Sequence, residues 1–352
     1  GNGVPYIDVE GSGLHKTQTW RVTNTPLRLL GLTTVQEALS IAPGVQLWMA
    51  ANASMTVFGS INAVGTSASR ITIRGEKAVR GFWESIDVRS AGALNELSYV
   101  DVRHGGGGTG GGTRANVSVS SNAQMRVHNA TFEESADAGM EVERFGLLPA
   151  FSNNRFHNNA GAGLRVPAEE AGALDPASSY STGNGVPYID VEGSGLHKTQ
   201  TWRVTNTPLR LLGLTTVQGA LSIAPGVQLW MAANASMTVF GSVNAVGTSA
   251  SRITVRGEQA VRGFWETIDF RSSSSLNELA YVDALHGGGG SGSDPANVTA
   301  GSNARLRVNF SSFSESAGWG LFAGPFAVVT PSPLASGGNT FSNNAKGASN
   351  IP

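Results

Sequence analysis

The sequence predicts an all-β fold, a right-handed parallel β-helix (solenoid) made of two tandem near-identical units, 1–182 and 183–352. Two observations predict it. The first is an internal duplication: Gly3-Val4-Pro5-Tyr6-Ile7-Asp8-Val9-Glu10 recurs as Gly185-Val186-Pro187-Tyr188-Ile189-Asp190-Val191-Glu192. At that offset of 182, residues 1–104 differ from 183–286 at only 12 positions, most of them mild, such as Ile61 to Val243 and Ser85 to Thr267. The second is the hydrophobic pattern within each copy. Short alternating apolar runs follow one another at short, nearly even intervals: Leu39/Ile41, Met55/Val57, Ile71/Ile73, Ile86/Val88, Val100/Val102 and Val117/Val119. Later runs, Met140/Val142, Leu164/Val166 and Ile189/Val191, are spaced more widely. Alternation is the period of a strand, and no stretch carries the 3.6-residue period of an amphipathic helix.

Evenly spaced short strands suit a sandwich, a propeller or a coil, and the details favour the coil. The spacing suits one solenoid turn of two or three strands, and small and β-branched residues recur at matched inward positions. Segments such as Asn129-Ala130-Thr131-Phe132 and Phe151-Ser152-Asn153-Asn154 suit tight corners. There asparagine tolerates left-handed dihedrals and can ladder with asparagine in the turns above and below. Phe151–Asn154 is also expected to correspond to Phe341–Asn344 of the second copy. The Gly-rich stretches Gly105–Gly112 and Gly287–Gly290 lack a following Lys-Ser/Thr and helix, so they are not phosphate loops. They read as flexible insertions at corners, and Pro167 to Tyr180 reads as a linker.

Composition narrows the function classes. Charged residues make up 14% of the chain against about 25% in typical soluble domains, the net charge is −1 and there are four lysines. Such a surface has no electrostatic hold on nucleic acid or anionic lipid. The absence of cysteine excludes disulfides and thiolate metal sites. No apolar run approaches the ~18 residues of a transmembrane helix. The chain opens in mid-motif, which suggests a segment of a longer protein with flanking repeats.

Several segments occur in a familiar order: Thr19-Trp20, Pro26, Leu39-Ser40-Ile41-Ala42-Pro43-Gly44-Val45, Ala53 to Ser60, Ala63-Val64-Gly65-Thr66, Arg70-Ile71-Thr72-Ile73, Gly81-Phe82-Trp83-Glu84 and Leu97 to Val102. Together they resemble the right-handed parallel β-helix repeat proteins of bacterial cell surfaces and secretions, over nearly the whole chain. The resemblance implies a secreted or cell-surface location. As functions it implies adhesins, surface-layer components, or polysaccharide lyases and hydrolases. It also implies that Trp20, Trp83, Trp202 and Trp265 are structural.

Three sets of residues are candidates for a site. If Ile86/Val88 and Val100/Val102 point inward, Asp87 and Asp101 point outward from the strands that begin at Ile86 and Val100. Were these strands stacked, the two carboxylates could share a proton, bind calcium, or act as acid and base on a glycan, and Asp269 and Asp283 would repeat them. The competing reading is ordinary ion pairing with Arg89 and Arg103. His104 and His286, at the ends of these strands, are candidates for a general base or a ligand, beside a corner role. Trp48, Phe58, Trp230 and Phe240 are predicted to face outward, where aromatic rings can stack on sugars or on a partner protein. Glu133, Asp137 and Glu143 lack clear acidic counterparts in the second copy. Six Asn-x-Ser/Thr triplets, at Asn52, Asn116, Asn129, Asn234, Asn297 and Asn309, are glycosylation acceptors only in a glycosylating host. Adjacent Asp-Asp, Gly-His-Gly and Arg-x-Lys motifs of pectin-hydrolysing β-helices are missing, as is a basic cluster of the kind lyases use to neutralise an acidic sugar. The expectation is a non-enzymatic extended module with no cofactor, binding an extracellular glycan or surface protein. The alternative is a polysaccharide lyase or glycoside hydrolase built on the aspartates and histidines.

Overall fold

The computed structural model describes residues 5–108 and 114–351. The chain divides into two compact units, residues 1–189 with 205–207, and 190–204 with 208–352. Each is an all-β parallel β-helix built on three sheets. Among the described residues no helix is long and apolar enough to cross a membrane.

In the first unit, the first sheet runs from Ile7–Glu10 through Leu27–Leu30, Gln46–Met49, Ile71–Gly75, Val100–Arg103, Thr131–Glu133 and Arg155–His157 to Ser179–Thr182. The second sheet holds Gly13–Leu14, Leu32–Val35, Ser54–Val57, Ile86–Val88, Ala115–Val119, Ala138–Val142 and Leu164–Pro167. The third holds Gln18–Trp20, Ala38–Ile41, Ser60–Val64, Glu96–Ser98, Gln124–His128 and Leu147–Ser152. Neighbouring strands are parallel and nearly in register, as in Ile73 on Val102 and Val102 on Phe132. The second unit repeats the three sheets, with Gln228–Met231, Ile253–Gly257 and Val282–Leu285 in its first.

Alternation decides which side of each strand is buried. Met55, Ile86, Val117, Met140 and Leu164 form one inward column, each fully buried and each set on its neighbour one turn away. Phe132, Phe156 and Tyr180 extend the core as a stack of nearly coplanar rings, with centroids 5.0 and 5.6 Å apart. Burial drives this packing at roughly 25 cal/mol per Å² of apolar surface. The expected structural tryptophans are buried. Trp83 Nε1 donates to the Arg103 carbonyl at 2.7 Å and Trp265 Nε1 to that of Leu285 at 2.8 Å.

Corners behave as their residue types require. Asn52, Asn129, Asn153, Asn158 and Asn234 adopt positive φ, between 51° and 58°, where asparagine is among the least strained residues with a Cβ. Adjacent asparagines turn inward. Asn154 Oδ1 accepts from the Ala130 amide and its Nδ2 donates to the Val127 carbonyl, while Asn159 does the same for Ser135 and Phe132. Asn116 and Asn297 are fully buried and satisfy the main chain around the glycine stretches, so these two triplets are closed to glycosylation.

The structure revises four expectations. One turn takes twenty residues between Asp8 and Arg28 and thirty between Arg103 and Glu133, with three strands in each of these turns. The shorter period read from the sequence is a step between strands on different faces. Phe341 stacks on Phe313 as Phe156 does on Phe132, and Asn344 serves Ser316 as Asn159 serves Ser135. Phe341–Asn344 therefore corresponds to Phe156–Asn159, not to Phe151–Asn154. The linker-like stretch contains a 3₁₀ helix, Ala168–Ala173, and Glu170 accepts a hydrogen bond from the amide of Leu148 on the terminal strand of the third sheet. Finally, Gly106 and Gly107 are not a loose insertion. They donate to the carbonyls of Glu84 and Trp83, and a Cβ on Gly107 would lie 2.1 Å from the Gly81 oxygen. Residues 109–112 of that stretch lie outside the described residues.

Candidate functional site

The first sheet of the first unit carries an outward column in which Asp8, Arg28, Trp48, Arg74, Arg103, Glu133 and His157 succeed one another turn by turn. The strand period places them there, because in each strand the apolar residue beside them points into the core. Arg28 holds Asp8 at 2.7 Å and reaches Glu76 at 3.3 Å. Its guanidinium lies 4.7 Å from the centroid of Tyr6, whose ring is 5.0 Å from that of Trp48. Arg74 lies over Trp48 at 4.8 Å. Trp48 thus faces outward as expected, but half-buried between Tyr6 and Arg74.

Further along the column lies an ionisable cluster. Glu133, 7% exposed, meets Arg103 Nε with one oxygen and His157 Nε2 with the other, both at 2.6 Å. Burial holds the His157 imidazole below its usual range, with Glu133 opposing and Arg155 and Arg103 adding to the shift. Such a carboxylate–imidazole contact can pass a proton. The sequence did not single out His157, because its partner lies a full turn away. The signal was present in the match of Thr131-Phe132-Glu133 to Arg155-Phe156-His157.

The expected pair of stacked aspartates does not form. Asp87 lies in the second sheet between Thr56 and Ser118, and Asp101 in the first between Thr72 and Thr131. Asp269 and Asp283 are separated in the same way. The third-sheet strand Glu96–Ser98 comes between Ile86–Val88 and Val100–Arg103, so the two aspartates stand on different faces and are not stacked. Asp87 pairs with Arg89 at 2.6 Å and accepts from Ser120 Oγ at 2.7 Å. Asp101 takes a forked contact from Arg70, not Arg103. Its burial favours the neutral acid, but the Arg70 hydrogen bonds and charge outweigh this and hold the carboxyl below its usual range. Arg252 grips Asp283 likewise.

His104 and His286 are buried corner residues with φ of 68° and 70°. His104 Nε2 lies 2.7 Å from Glu134 Oε2. Burial pushes both imidazoles below their ordinary value. For His104 Glu134 opposes the shift, and for His286 Arg256 adds to it while Glu315 opposes it. Among the described residues no three His, Asp or Glu side chains converge as a metal-ligand set. Phe58 and Phe240 are 47% and 53% exposed, with Arg89 and Arg271 at 5.9 and 6.0 Å from their ring centroids.

The chain matches no family model, no curated protein and no solved structure.

The two units can be compared with each other. Arg210 bridges Asp190 and Glu258 as Arg28 bridges Asp8 and Glu76, and Arg256 lies 4.7 Å over Trp230. The ionisable end of the column is not repeated: Leu285, Ser314 and Ser342 occupy the places of Arg103, Glu133 and His157.

Proposed function

We propose that this chain is a non-enzymatic, extended module of a bacterial surface or secreted protein, wound in the right-handed sense that parallel crossovers favour, which contacts an extracellular glycan or surface protein. One observation carries the reading. The aromatic–cation contacts recur almost unchanged in both units, at 4.8 and 4.7 Å for Trp48 and Trp230 and at 5.9 and 6.0 Å for Phe58 and Phe240. The close contact of Glu133 and His157, by contrast, has no second copy. A repeated contact gains avidity from its copies, and a catalytic centre has no such need. The exposed Phe58 and Phe240 offer the ring faces, with Arg89 and Arg271 beside them.

Glycan-array binding tests this. Phe58→Ala combined with Phe240→Ala should lower the signal by more than the two single changes multiplied together. The alternative, a polysaccharide lyase or hydrolase, draws on the Glu133–His157 contact. Turnover of any glycan that Glu133→Gln abolishes would overturn the proposal.

A further inference from the structure

Three of the 12 differences between residues 1–104 and 183–286 are consecutive: Ala91-Gly92-Ala93 becomes Ser273-Ser274-Ser275. Ser274 and Ser275 line a cavity of about 180 Å³ on the third sheet of the second unit, together with Arg305, Arg307, Val328 and Thr330. Arg305 and Arg307 are two residues apart on one strand, so both point outward. Val328 and Thr330 sit beside them in the next turn.

The two arginines differ in their partners. Arg307 is paired with Glu278 one turn away. Arg305 is exposed, and no carboxylate among the described residues pairs with it. In the first unit its place is taken by Gln124, whose amide donates to the Ala91 carbonyl and lies against the corner. The second unit thus exchanges a neutral side chain bound to its own main chain for an unpaired guanidinium, and at the same corner gains a run of hydroxyls.

We propose that this cavity binds an acidic monosaccharide unit through its carboxylate. Arg305 supplies the charge-assisted hydrogen bonds, worth roughly twice a neutral one. Arg307, held by Glu278, fixes the second side of the anion. The hydroxyls of Ser274, Ser275 and Thr330 meet the sugar hydroxyls, and Val328, 48% exposed, offers an apolar patch to the C–H face of the ring. The volume suits one sugar ring, so the site reads a single residue or chain end. It uses none of the aromatic contacts above and stands or falls independently of them.

The test is an NMR titration of the full chain with galacturonate, with glucose and with acetate in separate arms. Galacturonate should give saturable shifts at the amides of Ser274, Ser275 and Arg305, with acetate at least about tenfold weaker and glucose without effect. Arg305→Gln, and Ser274→Gly with Ser275→Ala, restore residues that the first unit carries. Both should keep the circular dichroism of the parent and weaken galacturonate about tenfold or more. The proposal is overturned by the absence of saturable shifts or by acetate matching galacturonate. Glucose matching galacturonate, or unchanged binding in the Arg305→Gln variant, overturns it equally.

Discussion

Asn116 turns its side-chain amide entirely onto the main chain, accepting from the Gly105 amide and donating to the carbonyls of Val102 and Glu133. Asn116→Ala should cost on the order of 2–4 kcal/mol, because buried main-chain groups are left unpaired. Asn297→Ala should match it, and urea midpoints of both variants check this; a loss below about 0.5 kcal/mol in each, the size of an ordinary surface change, refutes the assignment. Protonation acts at the same scale. His104, His157 and His286 are held below the ordinary imidazole value of about 6.5 chiefly by burial. As the pH falls through that value the unfolded chain takes up protons before the folded one does, so folding stability drops on acidification. Asp101, where burial is outweighed by Arg70 and the carboxyl is lowered from its usual value, adds a second loss at more acid pH, as its folded carboxyl is protonated. Urea midpoints should fall between pH 7.5 and 5, and the double variant His104→Gln/His286→Gln should flatten that slope. An unchanged slope would show that these imidazoles titrate alike in both states. The roles of Asn116 and His157 were hidden in the sequence because their partners lie on other strands, Asn116 reaching Val102 and Gly105 of its own turn and Glu133 of the next and His157 reaching Glu133 of the turn before, and turn length is not written in a strand's own pattern.

At the scale of the strand, the differences between the copies are matched in size. Val88 stacks on Val119 in the first unit, and Phe270 stacks on Ala300 in the second, all four fully buried. Val88→Phe alone should cost about 1–3 kcal/mol by overpacking, and adding Val119→Ala should recover most of it. A double-mutant cycle measures that coupling, and additive losses would show that the column does not pack as a unit. The strands themselves were legible, since inward residues such as Met55/Val57 and Ile86/Val88 alternate with polar ones. Their assignment to faces was not. The corner between Val57 and Ser60 holds only Phe58 and Gly59, whereas the one between Val88 and Glu96 runs from Arg89 to Asn95. Such unequal corners make equal spacings in sequence stand for unequal steps around the coil. The Asp87–Asp101 pair failed for this reason.

At the scale of the molecule, the first unit closes on residues beyond the sequence repeat. The amide of buried Tyr180 donates to Asn206 Oδ1 at 3.1 Å, and Thr207 Oγ1 donates to the Pro187 carbonyl. A fragment of residues 1–207 should unfold cooperatively in urea and be more stable than 1–182, as read by circular dichroism; equal midpoints would show that these bonds contribute nothing. The near-identity of 1–104 and 183–286 has a further consequence during synthesis and refolding. A strand searching for its neighbour meets two almost equal templates on one chain, the circumstance in which tandem proteins misassemble. Hydrogen bonding cannot discriminate, since the main chains are the same. Side-chain size can: Phe270 laid on Val119 is overfilled, and Val88 laid on Ala300 leaves a void. That pair of columns thereby gives each copy an address that the folding chain can read.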